Sequence, residues 1–504
     1  MTDTLLSLDV GTTAAKAVWF DLDGNELATA ERAFPLHTPQ ATFAEIDPDE
    51  LWNAVLGVLS EIGARLGNHR LLALAIASQG GSLTADDAAM QSTCPIITWM
   101  DTRSALIVTE WLANGVDETV RRISGWSLDP GLPLPMIEWL RRERPDDFAR
   151  SARFLSVSDF LVARLTGVYA TNPSMAGEML LTDIAGGDWS PELCALVGIQ
   201  PSQLSPILPS TAVIGNLLPA VCQATGLPPG TPVVNGGQDH SCEALAVGMV
   251  TPGKALLACG TAWVINGVSV RAKMSTIPTS MNLNFHVQPD VWIISQFLGG
   301  LGGTTEWWVN RFWQNAAAHQ PLDRAGLYAV FETALAGTKP GAGGLFFLPL
   351  AGSRQLENAP GCGGFWGLRL HHTRADLSRA VLEGSVFELV WSLERLKDAG
   401  MPVKQLWMIG GAARNPLLTQ IVADACGVPV WLTQYSHGPA LGAAMLAGMG
   451  LGLFDSHEAA RRVFAVQSRV VEPNPGNSRT YTDLFWRYRR LAEASQGLVA
   501  PSHP

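Results

Sequence analysis

The chain has 504 residues, 47% of them hydrophobic and 16% charged, with a formal net charge of -11. That length exceeds one simple core and predicts two domains, and the composition leaves no room for a long disordered tail. The excess of acid argues against nucleic acid as a partner, while an anionic ligand in a local pocket stays open.

The seven cysteines, Cys94, Cys194, Cys222, Cys242, Cys259, Cys362 and Cys426, are scattered and never form a C-x-x-C pair. They predict free thiols in a reducing compartment and no zinc site. The start, MTDTLLSLDV, has no basic stretch before its apolar run, so no signal peptide is expected. The longest uncharged apolar run, AMLAGMGLGLF at 444–454, is too short and too rich in glycine for a membrane span. The expectation is a soluble, cytoplasmic protein with no membrane partner.

The opening LLSLDVGTTAAKAVWFDLDG, residues 5–24, reads as strand, tight turn and strand. Asp23-Gly24 makes a second turn and ELATAER a third strand. The first turn is unusually polar. Gly11 tightens it and lets its amide approach a ligand. Thr12 and Thr13 add hydroxyl donors to an anion nest, and Lys16 can set a charge on a phosphate. Asp9 supplies a hard oxygen suited to Mg²⁺, directly or through its waters. The competing reading is an ordinary hairpin with a solvated lysine.

Residues 47–66, DPDELWNAVLGVLSEIGARL, carry an aspartate cap, a proline at the first position and acids in the first turn, and so predict a helix. LLALAIAS follows as a buried strand that ends in SQGG. Strands alternating with helices indicate an α/β domain. In TWMDTRS, residues 98–104, Asp101 and Arg103 either present hydrogen-bonding groups to a polyhydroxylated ligand or form a local salt bridge. Helix signals then dominate to residue 230, clearest in PMIEWLRRERPDDFA and SVSDFLVARLTG.

Past 230 the strand pattern restarts. TPVVNGGQDHSCEALAVGMVTPGKALLACGTAWVINGVSV reads as a strand, a glycine turn, a small-residue helix, a Thr-Pro-Gly turn, and a strand broken by Gly260-Thr261. This repeats the plan of the opening, so the chain is divided near residue 250 into domains 1–250 and 251–504. Asp239 follows a glycine pair and can take the proton of a hydroxyl attacking a phosphoryl group. Its alternative is to cap the helix after it. His240 fits binding or support better than base catalysis. GMVTPGKA nearly spells a phosphate loop, but Ala255 stands where Ser or Thr would hold Mg²⁺, and a strand follows it. Further on, Gly410-Gly411 with Asn415 lets a flat ring approach the backbone, or makes a plain strand-to-helix turn.

Together these segments resemble the FGGY carbohydrate kinases, in the actin-like ATPase superfamily, over nearly the whole chain. SLDVGTTAAKAVWFDLDG resembles the first phosphate motif. PIITWMDTRS resembles the Trp-x-Asp-x-Arg segment, and FLVARLTGVYATNPSMAG with LTDIAGGDWSPELCALVGI the middle region. GGQDHSCEALAVGMVTPGKALLACGTAW resembles the catalytic-aspartate segment joined to the second phosphate motif. GGFWGLRLHHTRADLSRAVLE fits the C-terminal signature in order and spacing. IGGAARNPLLTQIVADACGVPV resembles the adenine-side loop, and GPALGAAMLAGMGLG the helix after it.

The resemblance implies two ribonuclease-H-like domains with ATP and a sugar in the cleft between them. It makes Asp239 the general base and puts Asp9 in the Mg²⁺ shell. It sets Gly11, Thr12, Thr13, Lys16, Gly260 and Thr261 around the phosphates, and Gly410, Gly411 and Asn415 at the adenine end. Gln79, Gly81, Asp101, Arg103 and His240 join Asp239 on the sugar side.

The implied reaction is ATP-dependent phosphorylation of a small sugar or polyol, a pentulose or hexulose first. The alternatives are a kinase for glycerol, erythritol or a sugar acid, an actin- or chaperone-like ATPase, and a sugar-binding pseudokinase. Relatives often form dimers or tetramers, so a homodimer is an open alternative. The sugar half departs from the pattern. Xylulose-specific members show Met-His-Gly after the glutamine, where this chain has Gly80-Gly81-Ser82. Gly131 stands near a tyrosine of glycerol-specific members, Met136 where a lysine is usual, and His240 where relatives carry Asn or Gln. The two glycines Gly81 and Gly131 predict a roomier or reshaped pocket.

Overall fold

The opening meander forms as its alternation predicts. In the computed structural model, which describes residues 2–314, 323–350, 355, 363–433, 435 and 437–496, Asp3–Val10 (β1), Ala14–Asp21 (β2) and Glu26–Ala33 (β3) pair antiparallel in succession. Leu5, Leu6 and Leu8 of β1 are fully buried. Pro48–Gly63 (α1) starts on Asp47, whose side chain accepts from the amides of Asp49 and Glu50. It buries Leu51, Val55, Val58 and Ile62 on one face of the sheet.

Arg70–Ser78 (β4) runs parallel to β1. Val213–Asn216 (β5) and Pro232–Gln238 (β6) complete a six-stranded sheet in the order β5-β6-β4-β1-β2-β3. Between β4 and β5 the chain is largely helical. The expected helix over PMIEWLRRERPDDFA divides into Pro133–Glu143 and Pro145–Arg150, because Pro145 drives Arg144 out of helical geometry. Val157–Thr166 forms on its Ser156 cap.

Asp239–Ala246 (α2) leads to a second sheet. Its strands are Lys254–Cys259 (β7), Trp263–Ser269 (β8), Asn282–Phe285 (β9), Trp292–Gly299 (β10), Gln405–Ile409 (β11), Val430–Thr433 (β12) and Ser468–Val471 (β13). Their order is β9-β10-β8-β7-β11-β12-β13. Both sheets follow one plan: an antiparallel run whose first strand is flanked on its other side by two parallel strands, β4 and β6 in one, β11 and β12 in the other, with β10 rather than β9 next to β8 in the second. Lys254 begins β7 and donates to the Gly248 carbonyl at 2.9 Å, so the near-match to a phosphate loop is a turn into a strand.

Leu301–Phe312 (α3), Arg374–Asp398 (α4) and Pro416–Cys426 (α5) cover one face of the second sheet. Helix α2 lies between the sheets. Cys242, Leu245 and Ala246 pack toward the first sheet, while Ala244 and, just past the helix end, Val247 and Met249 pack toward the second. Gly438–Gly450 (α6) crosses α2 and packs on the first sheet through Ala440, Ala443, Ala444 and Ala447, although it lies far beyond residue 250 in the chain.

Cys94, Cys194, Cys222, Cys242, Cys259 and Cys426 are free thiols; Cys362 lies outside the described residues. Among the described residues no helix is long and apolar enough to cross a membrane.

Candidate active site

Strands β1, β4 and β6 are neighbours and parallel, so their carboxyl ends open at one edge of the sheet. That edge collects Asp9 to Thr12, Gln79 to Gly81, and Asp239 with His240, which are far apart in sequence. Ligands of α/β sheets gather at such edges. The glycine pair before Asp239 has a steric cause. The β6–β4 ladder bulges between Val234 and Gly237, and Gly236 takes φ +76°. A Cβ there would stand 1.7 Å from the Ile76 carbonyl oxygen, so only glycine fits.

The cap of α2 is Gln238, whose Oε1 accepts from the Ser241 amide at 2.9 Å. Asp239 is thereby released from capping. Its Oδ1 accepts from Gln238 Nε2 and from the His240 amide, both at 2.7 Å.

A cavity of about 430 Å³ opens between the two lobes. The first lobe contributes Thr12, Gln79, Gly80, Gly81, Trp99, Trp126, Glu178, Asp239 and His240 to its wall; the second contributes Ala262, Asn266, Asn282, Asn284 and Phe297. Trp99 Nε1 donates to Thr12 Oγ1 at 2.9 Å, and Thr12 Oγ1 donates to Gln79 Oε1 at 2.9 Å, which fixes the indole against the floor. Edge strand β9 docks on the first lobe. Asn282 Oδ1 accepts from the Ser127 amide at 3.1 Å, and Asn284 Nδ2 donates to the Ser174 carbonyl at 3.0 Å.

The site is electrostatically negative. Burial first, then the charge of Asp239, push Asp9 up to about 7. The same causes in the same order push Glu178 up to about 8, and burial, Asp239 and Asp9 push Glu243 up to about 8. Burial raises Asp239 itself, opposed by the charge and amide of His240. Among the described residues no three His, Cys, Asp or Glu side chains converge as a metal cluster. Two mutually repelling carboxyls, Asp9 and Asp239, are instead a donor set that suits a hydrated Mg²⁺ with few protein ligands.

The remaining expected residues fall into two groups. At the first tip, the Gly11 amide donates to the Ala14 carbonyl at 3.0 Å, closing the turn rather than facing a ligand. Thr13 is exposed. Lys16 pairs in register with Asp9 and stands 3.7 Å from Glu31. In the second lobe, Gly260 and Thr261 are exposed at the β7–β8 tip, and the Thr261 carbonyl accepts from the Gly303 amide at 2.9 Å at the start of α3. Gly410 packs on Cys259, where a Cβ would come within 2.7 Å of the carbonyl oxygen, so this loop lies beside the Gly260 tip. A Cβ on Gly411 would meet nothing within 4 Å, leaving a bare backbone surface. The Asn415 side chain accepts from the Leu418 amide at 2.9 Å and caps α5.

One expectation on the sugar side is corrected. Asp101 and Arg103 do not reach the cavity. Arg103 donates to both Asp101 oxygens and to Glu45 at 2.7–2.9 Å, stacks 3.7 Å over Phe43, and keeps 3% side-chain exposure. Asp101 Oδ2 also accepts from the Ala44 amide, so the pair is a buried staple. The glycines reshape the pocket without enlarging it: a Cβ on Gly131 would stand 2.1 Å from the Trp99 carbonyl oxygen, and one on Gly81 3.1 Å from Trp99 Cβ. Met136 is fully buried in a helical core.

Sequence reasoning passed over Trp99, Trp126, Glu178, Asn266, Asn282 and Asn284. Trp99 stood inside a segment already singled out, beside charged residues that drew attention. Glu178 belongs to no spacing pattern, and only its place with Asp239 in the cavity wall marks it.

Two lobes of one plan, a cleft between them, and half-buried carboxyls where the cleft meets the first lobe define a two-domain phosphotransferase of the actin-like ATPase fold. Residues 4–246 match the N-terminal domain, and residues 255–451 the C-terminal domain, of the FGGY family of carbohydrate kinases. The chain belongs to that family, whose members are ATP-dependent sugar kinases. It is 28% identical over 496 residues to the xylulose kinase of Bacillus subtilis (97% of this chain, 96% of that one). It is 27% identical over 510 residues to the gluconokinase of the same organism (99% and 98%). Among solved structures, the gluconate kinase of Lactobacillus acidophilus superposes with a TM-score of 0.91 at 24% identity, covering 99% of each chain.

Proposed function

We propose that the chain transfers the terminal phosphoryl group of ATP to a hydroxyl of a ketose, a pentulose or hexulose, held in the inter-lobe cavity. The observation that carries this reading is Asp239: a half-buried carboxyl, freed from helix capping, that lines a cavity walled by both lobes. In this reading Asp239 takes the proton of the attacking hydroxyl, and burial makes it a stronger base than an ordinary aspartate. The amide and charge of His240 oppose that rise. Asp9, beside it, would hold Mg²⁺ through the ion's waters, and the ion when bound neutralises phosphate charge.

Thr13, Lys16 and the exposed Gly260-Thr261 tip are the groups this reading sets around the phosphates. The open backbone at Gly411, beside that tip, is set under the adenine, with Gly410 and Asn415 shaping the loop. Residues 1–250 and 251–504 serve as the two lobes, and closing them over ATP and sugar excludes water from the transfer. The free thiols agree with a cytoplasmic setting.

The test is ADP release from the purified chain with ATP and Mg²⁺ over a panel of pentuloses, hexuloses, polyols and aldonates. A ketose is expected to stimulate release well above the sugar-free rate. Stimulation by none of the panel refutes the reading.

A further inference from the structure

The family relatives above divide between a ketose and a sugar acid at nearly equal identity, so similarity alone does not choose between them. The cavity wall does. Its charged or titratable lining consists of Glu178, Asp239 and His240; among the described residues no lysine or arginine lines it.

Glu178 also has a place of its own. A Cβ on Gly80 would stand 1.5 Å from Glu178 Oε2, so the carboxyl fills the room that a side chain at position 80 would need. A backbone hydrogen bond from Gly81 supports it, and its open surface faces the cavity. Three neutral donors of the lining, Gln79 Nε2, Trp126 Nε1 and Asn266 Nδ2, are buried and have no hydrogen-bond partner in the ligand-free protein. Gln79 keeps 2% and Asn266 3% of its surface exposed, so water does not satisfy them cheaply.

We propose that Glu178 is the specificity-determining residue of the cavity, taking a hydroxyl of an uncharged polyhydroxy substrate, and that the cavity refuses sugar acids. This rests on the kinase reading and sharpens it. Hydroxyls of such a substrate bond the carboxyls of Glu178 and Asp239, which line the cavity. A substrate carboxylate would find no lysine or arginine in the lining and would lie against the carboxyls of Glu178 and Asp239. Glu178 touches substrate but takes no part in bond making.

The experiment has two arms. In the first, ADP release is measured for xylulose, other pentuloses and hexuloses, pentitols, and gluconate. The best neutral compound is expected to exceed gluconate in kcat/KM by about a hundredfold or more, the scale set by placing like charges together. Glu178→Leu is expected to raise KM for that compound by roughly tenfold with kcat within a few-fold, while Glu178→Gln, which keeps a hydrogen-bonding head, largely restores KM. Melting curves confirm that both variants fold.

In the second arm, calorimetry titrates the same compounds into the wild-type chain without ATP. Gluconate binding or reacting as well as the best neutral compound overturns the proposal, as does an unchanged KM in Glu178→Leu. If nothing stimulates ADP release, the kinase reading fails. Calorimetry then still decides: a neutral compound that binds while gluconate does not, and that Glu178→Leu binds more weakly, upholds the proposal; no neutral binder overturns it.

Discussion

Gly442 of α6 lies directly against the backbone of Cys242 in α2: a Cβ built on the glycine would stop 2.0 Å from the Cys242 carbonyl oxygen. This contact sets how closely the two central helices cross, and α2 begins with Asp239. A larger side chain forces the helices apart, and overpacking a tight contact costs about 1–3 kcal/mol. Gly442→Val is expected to lower the denaturation midpoint and also to reduce kcat, since the carboxyl moves with its helix. Urea unfolding and steady-state kinetics on the same preparation check both. An unchanged kcat would separate the crossing from the site.

Asp239→Asn keeps the shape and the amide contacts but removes the base. General-base loss costs roughly a hundred- to ten-thousandfold in rate. The expected outcome is a kcat lower by that factor with KM for sugar and ATP largely intact. Near-normal turnover removes Asp239 from the chemistry.

Arg103 is a stability residue, contrary to the sugar-binding role its motif implies. Its guanidinium joins Asp101 and Glu45 in a buried network, and breaking such a pair by removing one partner costs about 3–5 kcal/mol. Arg103→Ala should melt markedly earlier, while the folded fraction keeps wild-type KM for its sugar. A large KM change without loss of stability would restore the binding role.

The acidic site makes the ligand-free protein sensitive to pH. Asp9 is held at about 7, and Glu178 and Glu243 at about 8. In the unfolded chain the same groups titrate near 4. Between those values the unfolded state binds fewer protons than the folded state, so these groups stabilise the fold fully at low pH and lose that contribution as pH rises toward 8. Their part of the melting temperature should therefore fall from pH 5 to pH 8.5, less steeply in Glu178→Gln. Mg²⁺ should restore more of it at pH 8 than at pH 5. A Glu178→Gln slope as steep as wild type would contradict this assignment.

Local physics was legible along the chain. Asp47 as a cap, Asp23-Gly24 as a turn, the meander of apolar alternation, the glycine pair before Asp239 and the repeat of one hairpin plan are short-range patterns with steric or hydrogen-bonding causes. They were enough to indicate the α/β class and the polar tips of both lobes. Burial and partnership were decided only in three dimensions, because they depend on residues far apart in sequence. Arg103 looks like a ligand donor until Glu45 and Phe43 close around it. Gly131 looks like added room until the Trp99 carbonyl fills it. Asp239 looks like a helix cap until Gln238 takes that task, and its carboxyl meets Asp9 only because β1, β4 and β6 run parallel and end at one edge.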